Sequence, residues 1–308
     1  MTRVPTLDAL ARPGGGLAMV AMDQRESLRT MFDQAGAGRP ETSELIDFKL
    51  EVARRLGPFA SGFLIDRELG FEDVRRDRLL PETCGLILAV DALEQQMGGP
   101  VEETALDPAF LADGSDLDGV AAVKLLVIWR RDQRREQRVE LARDFIEAAR
   151  ARGVLSVLEP VVRPTAAEQD GGGWDLNAAI REAAEELSIL GPSLYKAQVP
   201  SAGEGEPAEL EDACRELDDA ITGPWVVLSQ GVRQDRFPAA VEAACRAGAS
   251  GFLAGRALWS DVVGQPRTGL AERSVPRLER LVSIVDEHAR PWWGEPAPAA
   301  RQGDGANG

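Results

Sequence analysis

The sequence predicts a single-domain (β/α)8 barrel. Three observations carry that expectation: eight short apolar runs, amphipathic helical segments between them at intervals of roughly 30 residues, and polar side chains that recur where the runs end. Runs without polar alternation fit strands covered on both faces, and eight parallel strands of this kind close a barrel. A doubly wound sheet is the competing arrangement. It needs fewer strands and a Gly-rich dinucleotide turn after the first one, which is absent here.

After a polar start and the Gly14-Gly15-Gly16 turn, Leu17 to Met22 reads as the first strand and ends in Asp23-Gln24-Arg25. Leu45, Phe48, Lys49, Val52 and Leu56 then follow helical spacing up to Gly57-Pro58. Gly62 to Ile65 is the second strand, closed by Asp66, and Cys84 to Val90 the third, closed by Asp91. The fourth, Val120 to Trp129, carries Lys124 within it and Arg130 at its exit. Asp132 to Arg152 is a charged helix with Val139, Ala142, Phe145, Ile146 and Ala149 on one face, stopped by Gly153. The fifth strand, Val154 to Glu159, is closed by Pro160. A loop through Gly171-Gly172-Gly173 and a helix capped by Asp175 lead to the sixth strand, built around Lys196. Pro207 opens the next helix, which Gly223-Pro224 ends, and Trp225 to Ser229 is the seventh strand. Helix Pro238 to Ala247 precedes the eighth, Gly251 to Ala254, closed by Gly255-Arg256; Pro276 to Ala289 is the last outer helix. Residues 1–290 are thus assigned to the barrel. Residues 291–308, rich in Pro, Gly and Ala, are expected to form a disordered tail in which Trp292-Trp293 can dock on a neighbour.

With 308 residues, 44% hydrophobic and 28% charged, the chain can bury a core of barrel size. A formal charge of −16 argues against nucleic-acid and acidic-membrane partners, because phosphate backbones are held by clustered Lys and Arg. An anionic ligand must therefore be held by a local basic site. No apolar stretch can serve as a signal-peptide core or a membrane span, so the protein is expected in the cytoplasm. Cys84, Cys214 and Cys245 sit in apolar segments, as reduced core thiols do, and His288 is the single histidine. That inventory leaves little for a zinc site, and neither metal nor cofactor is expected.

The chemistry is expected at the C-terminal ends of the strands, where Asp23, Asp66, Asp91, Lys124, Glu159, Lys196, Ser229 and Arg256 fall. Asp66 and Asp91 read most simply as carboxylates capping the following loop or helix. Lys196 interrupts an apolar strand, which is costly unless the amine is paired or neutralised; a lysine at a strand end that snorkels to solvent is the alternative. Lys124, Glu159 and Lys196 occupy strands four, five and six, and their side chains meet if all three point inward. An amine nucleophile must shed its proton, which burial and a second ammonium, here Lys124, favour. Glu159 is then the acid able to move protons between carbinolamine, imine and enamine. A purely structural Lys-Glu-Lys network competes with this reading, although buried ion pairs stabilise poorly against an apolar core. Ser229-Gln230-Gly231 and Gly255-Arg256 follow strands seven and eight, where such barrels recurrently hold phosphate.

With these residues laid out, the chain resembles the class I aldolases of the tagatose-1,6-bisphosphate family, and most closely the sulfofructosephosphate aldolases of sulfoquinovose breakdown. The matching blocks are Ala21 to Glu26, Lys124 to Arg130, Leu158 to Pro164, Leu194-Tyr195-Lys196, Trp225 to Ser229 and Gly248 to Ala257, in family order between about Gly15 and Glu287. The resemblance implies a barrel that needs no metal, with Lys196 forming the Schiff base, Glu159 the acid/base, Lys124 assisting and Asp23 completing the catalytic set. Ser229, Gly231, Gly255 and Arg256, with Gln24, would hold a phosphate or sulfonate. Arg25, Arg130 and Arg163 are the matching candidates for a second anion. Two positions depart from the pattern: Gln198 stands where relatives carry Glu, and Gln230 where they carry a small residue.

The implied activity is reversible cleavage of 6-deoxy-6-sulfofructose 1-phosphate to dihydroxyacetone phosphate and sulfolactaldehyde, in an enzyme that assembles as a dimer or tetramer. Tagatose or fructose 1,6-bisphosphate is the alternative substrate. A sugar-phosphate-binding barrel without catalysis is the alternative from another class.

Overall fold

The computed structural model describes residues 5–112 and 114–294. Eight parallel strands close a barrel: β1 (Leu17–Met22), β2 (Gly62–Asp66), β3 (Gly85–Ala89), β6 (Val120–Trp129), β7 (Leu155–Val162), β8 (Leu194–Ala197), β9 (Trp225–Val227) and β10 (Gly251–Ala254). They neighbour one another in chain order, and β10 returns to β1. Between β3 and β6 the chain adds an antiparallel hairpin, β4 (Asp91–Gln95) and β5 (Val101–Leu106), which the sequence reading did not anticipate. The helices are α1 (Glu26–Gln34), α2 (Thr42–Leu56), α3 (Phe71–Arg76), α4 (Pro108–Leu111), α5 (Arg135–Ala151), α6 (Ala166–Asp170), α7 (Leu176–Ser188), α8 (Pro207–Ala220), α9 (Phe237–Ala247), α10 (Arg256–Trp259) and α11 (Val275–His288). None is long and apolar enough to cross a membrane.

Side-chain alternation divides the core in two. Leu17, Met19 and Ala21 of β1 join Ala122, Val157, Leu194 and Val226 inside the barrel. Ala18, Val20 and Met22 face the helices, with Val123, Leu158, Tyr195 and Val227. Parity then settles where the polar exceptions point: Lys124 shares a face with Ala122, Glu159 with Val157, and Lys196 with Leu194, so all three enter the barrel. The snorkelling alternative for Lys196 fails on burial, since only 3% of the residue is exposed.

Two expectations are corrected. Pro160 does not close its strand: β7 continues to Val162 and pairs with β6 along its whole length. Pairing with β8 ends at Leu158–Tyr195, so the N–H that proline lacks falls on an edge already vacated by the neighbour. The tail is not wholly disengaged either. Trp292 donates its backbone N–H to the Gly15 carbonyl and packs under the barrel floor, edge-on to Trp293. Gly15, at φ +82°, allows this, since a Cβ there would lie 2.5 Å from the Trp293 ring. The rest of the expected tail, 295–308, lies outside the described residues. The three cysteines are free and buried, as expected of core thiols.

Candidate active site

The strand ends bring four predicted residues into contact. Glu159 stands between the two lysines: its Oε1 lies 2.8 Å from Lys196 Nζ and its Oε2 3.2 Å from Lys124 Nζ. Lys124 Nζ also lies 2.5 Å from Asp23 Oδ2 and 2.8 Å from Asp91 Oδ2. Lys124 therefore does not serve as a bare ammonium beside Lys196; three carboxylates surround it. Burial alone would lower the Lys124 pKa, but Asp23, Asp91 and Glu159 outweigh it and hold the group charged well above its ordinary range. Burial likewise works to raise Asp23, and Lys124 followed by Lys196 overcomes it, keeping that carboxyl far below its usual value.

Above this cluster opens a cavity of about 250 Å3. Asp23, Lys124 and Glu159 form its polar floor, Gln24, Arg163, Gln230 and Arg256 part of its wall, and Leu93, Gln95 and Val101 of the hairpin another side. Lys196 contacts the floor through Glu159 without itself lining the cavity. Gln24 donates to Asp23 Oδ1 at 3.2 Å, and its own buried carbonyl oxygen has no partner. Gly255 brings the end of β10 against this corner. A Cβ there would lie 2.5 Å from the Ala21 carbonyl and 3.2 Å from Gln24 Nε2. Ser229 and Gly231, the latter at φ +84°, flank Gln230 at the rim; only Gln230 of the three lines the cavity.

The five expected arginine and glutamine anion ligands divide. Arg163 and Arg256 line the cavity and make no ion pair among the described residues, and Arg163 Nε is buried without a partner. Burial lowers both their pKa values; for Arg256, Glu159 and Asp23 oppose it, while for Arg163 Glu102 opposes it and the nearby Arg130 and Arg256 add to it. Arg25, which also lines the cavity, and Arg130 are already engaged by acids. Arg25 Nη2 donates to Asp91 Oδ1 at 3.1 Å and Nη1 to the Asp91 carbonyl at 2.8 Å. Arg130 is taken up by Glu102, at 2.5 Å through Nη2 and 3.0 Å to its carbonyl. Both guanidiniums tie the hairpin to the barrel.

Of the two residues read as caps, one does more than cap and the other does not cap. Asp66 does accept the Leu69 N–H, but its other oxygen pairs with the buried Lys49 of α2. Asp91 is no cap at all; it binds Lys124, Arg25 and the Leu126 N–H. The signal for the first was a lysine on the apolar face of α2, which demands a buried acid. Gln198 accepts the Val162 N–H at 2.6 Å, bridging β7 to the chain beyond β8 where strand pairing has stopped.

The comparisons agree with this geometry. Residues 17–261 match the model of the DeoC/LacD family aldolases. The chain is 29% identical over 323 residues to a tagatose 1,6-diphosphate aldolase of Listeria monocytogenes, covering 93% of this chain and 92% of that protein. It is 23% identical to tagatose 1,6-diphosphate aldolase 2 of Streptococcus agalactiae, over 93% and 96% of the two chains. Among solved structures, the fructose-bisphosphate aldolase of Plasmodium falciparum superposes with a TM-score of 0.64 at 15% identity, covering 91% of each chain. That of Slackia heliotrinireducens gives 0.62 at 16%, over 96% of this chain and 91% of its own. The chain belongs to the DeoC/LacD family of aldolases, and is accordingly a lyase.

Proposed function

We propose that the protein is a Schiff-base aldolase that reversibly cleaves 6-deoxy-6-sulfofructose 1-phosphate to dihydroxyacetone phosphate and sulfolactaldehyde. The observation that carries the Schiff-base reading is Glu159 bridging Lys196 and Lys124 at the barrel mouth. Lys196 passes a proton to Glu159 Oε1, and the neutral amine attacks the C2 ketone. Glu159 returns that proton to the departing hydroxyl, so water leaves and an iminium remains. Glu159, again ionised, takes the proton from the C4 hydroxyl. The C3–C4 bond breaks, its electron pair flows into the iminium to give an enamine, and the aldehyde departs. Protonation at C3 and hydrolysis then release dihydroxyacetone phosphate and restore Lys196. Lys124, held charged, offers its field to the oxyanion that develops when C2 is attacked.

A substrate carrying an anion at each end suits a cavity with two guanidiniums that have no carboxylate partner among the described residues, Arg163 and Arg256. The resemblance of the chain's sequence blocks to the sulfofructosephosphate aldolases supports the sulfonated sugar. The names of the relatives favour a second reading, tagatose or fructose 1,6-bisphosphate, which differs at one end by about one charge. The enzyme is taken to be a cytoplasmic dimer or tetramer, which light scattering tests. Borohydride added with dihydroxyacetone phosphate, followed by peptide mapping, should leave an adduct on Lys196. Its absence would remove the Schiff-base reading, and absence of cleavage as well would leave a binding barrel without catalysis. Cleavage rates of the sulfonated and bisphosphorylated ketoses then decide between the substrates.

A further inference from the structure

We infer that Asp91 is a positioning residue for the aldol reaction: from the first position of the β4–β5 hairpin it fixes the Lys124 ammonium beside Glu159 and links that ammonium to the wall of the substrate cavity. The inference rests on the Schiff-base reading for what Lys124 and Glu159 do, and on geometry for what Asp91 does.

An ammonium has three donors, and Lys124 faces three carboxylates, Asp23, Asp91 and Glu159. They are not equivalent. Glu159 is shared with Lys196, and Asp23 with Gln24. Asp91, which also lines the cavity, is the one whose remaining partners lie outside that exchange. Its Oδ2 also accepts the Leu126 N–H at 3.1 Å, its Oδ1 accepts from Arg25, and Arg25 grips its main-chain carbonyl as well. Arg25 is itself braced, with Nε 3.6 Å from Asp66 Oδ1, and Asp66 is paired with Lys49 in the helix layer. A chain of alternating charge thus runs from α2 to Asp91, and Lys124 is its last fixed member before the groups that must move protons. In such a network the members act as a unit. Without the Asp91 carboxylate, Lys124 keeps only Asp23 and Glu159, and it then competes harder with Lys196 for Glu159.

The hairpin gives the arrangement a second consequence. Asp91 pairs in register with Leu106, and Leu93, Gln95 and Val101 farther along the same hairpin wall the cavity. A sugar pressing on those side chains acts on the strand whose first residue holds Lys124. Occupancy of the cavity and placement of the ammonium are mechanically joined.

The test is a double-mutant cycle on the full chain, using Asp91→Asn, Lys124→Gln and the pair, read by steady-state cleavage and by thermal unfolding. Asp91→Asn keeps the size of the side chain and an oxygen for the Leu126 N–H. It should lower kcat by roughly tenfold or more while KM stays within about threefold, and in the Lys124→Gln background it should change kcat less than about twofold. Because the two side chains are in contact, its effect on the melting temperature should also be smaller in the Lys124→Gln background, so the rates are compared at a temperature where every variant is folded and the kcat-against-KM split separates positioning from a general loss of structure. Equal loss of kcat in both backgrounds, or no loss in the first, overturns the inference. Should Asp91→Asn fail to fold, Arg25→Gln releases the same carboxylate from its other side and should reduce kcat in the same sense; an unchanged kcat there also overturns it. Failure of the Schiff-base reading shows separately, as absence of a Lys196 adduct in the unaltered enzyme after borohydride and dihydroxyacetone phosphate, because the cycle is read on rates whichever nucleophile operates.

Discussion

Lys49 on α2 and Asp66 at the end of β2 form an ion pair in which neither side chain reaches solvent. Burial lowers the Lys49 pKa even with Asp66 beside it, the sign of a pair whose attraction does not fully repay desolvation. Breaking one side should therefore hurt more than removing both. Lys49→Met is expected to cost about 3–5 kcal/mol in urea unfolding, because it strands a buried carboxylate. Lys49→Met combined with Asp66→Asn should recover most of that loss, since the introduced amide keeps an oxygen that can accept the Leu69 N–H. A double variant as unstable as the single one would show that packing around Lys49, and not charge, is what matters.

Glu159 touches both lysines, so its replacement should separate binding from chemistry. Glu159→Gln keeps a single oxygen to accept from one of the two ammonium groups and cannot take or return a proton. A loss of roughly 10²- to 10⁴-fold in kcat is expected from losing a positioned acid/base, with KM little changed. Single-turnover mixing followed by borohydride should show slower formation of the Lys196 adduct. Adduct formation at the unaltered rate would move the proton-transfer role to Asp23.

The strands were legible in the sequence as short apolar runs, and so was the parity of the lysines within them, but which of the two faces lies inside the barrel was not. Lys124, Glu159 and Lys196 keep the parity of Ala122, Val157 and Leu194, and that parity is written in the chain. The hairpin was not legible. Asp91–Gln95 and Val101–Leu106 are half-exposed and rich in Glu, so they lack the apolar run that marks the barrel strands. Missing it hid the partners of two arginines. Nothing local tells Arg25 that its acid is Asp91, 66 residues away, or tells Arg130 that Glu102 will fold back over it. Charge pairs between distant segments depend on the topology of a segment that the pattern did not reveal.

The Asp23–Lys124 contact should show in acid stability. The folded pKa of Asp23 is depressed, so its contribution is fully present above the unfolded value of 3.8 and is lost as pH falls through the lower folded value. Lys124 is raised, so its contribution persists at any pH below its unfolded value of 10.5 and is lost only as pH rises through the higher folded value. Acid titration therefore reads Asp23 and not Lys124. Asp23→Asn is expected to be less stable than the unaltered protein above about pH 4. The gap should narrow on going to about pH 2, measured as urea midpoints across that range. A gap independent of pH would mean that the contact contributes through packing alone.

Arg163 and Arg256 line the cavity without carboxylate partners among the described residues, and a half-buried guanidinium in that state is a charge awaiting its counterion. Removing it should cost little structure and much affinity. Arg163→Gln is expected to leave the melting temperature unchanged or raise it, and to raise KM by roughly tenfold to a hundredfold, the range of a lost charge-assisted hydrogen bond. The two arginines should also be distinguishable by which end of the sugar they hold. Arg256 follows Gly255 beside Gln24 and lies within the fields of Glu159 and Asp23, and it should hold the phosphate of dihydroxyacetone phosphate. Arg256→Gln should then weaken borohydride trapping by that triose. Arg163→Gln should leave trapping intact while raising KM for the full ketose. If Arg163→Gln raises KM for the sulfonated and the bisphosphorylated sugars by the same factor, the guanidinium reads charge alone, and the preference for one sugar must come from the neutral wall formed by Gln24 and Gln230.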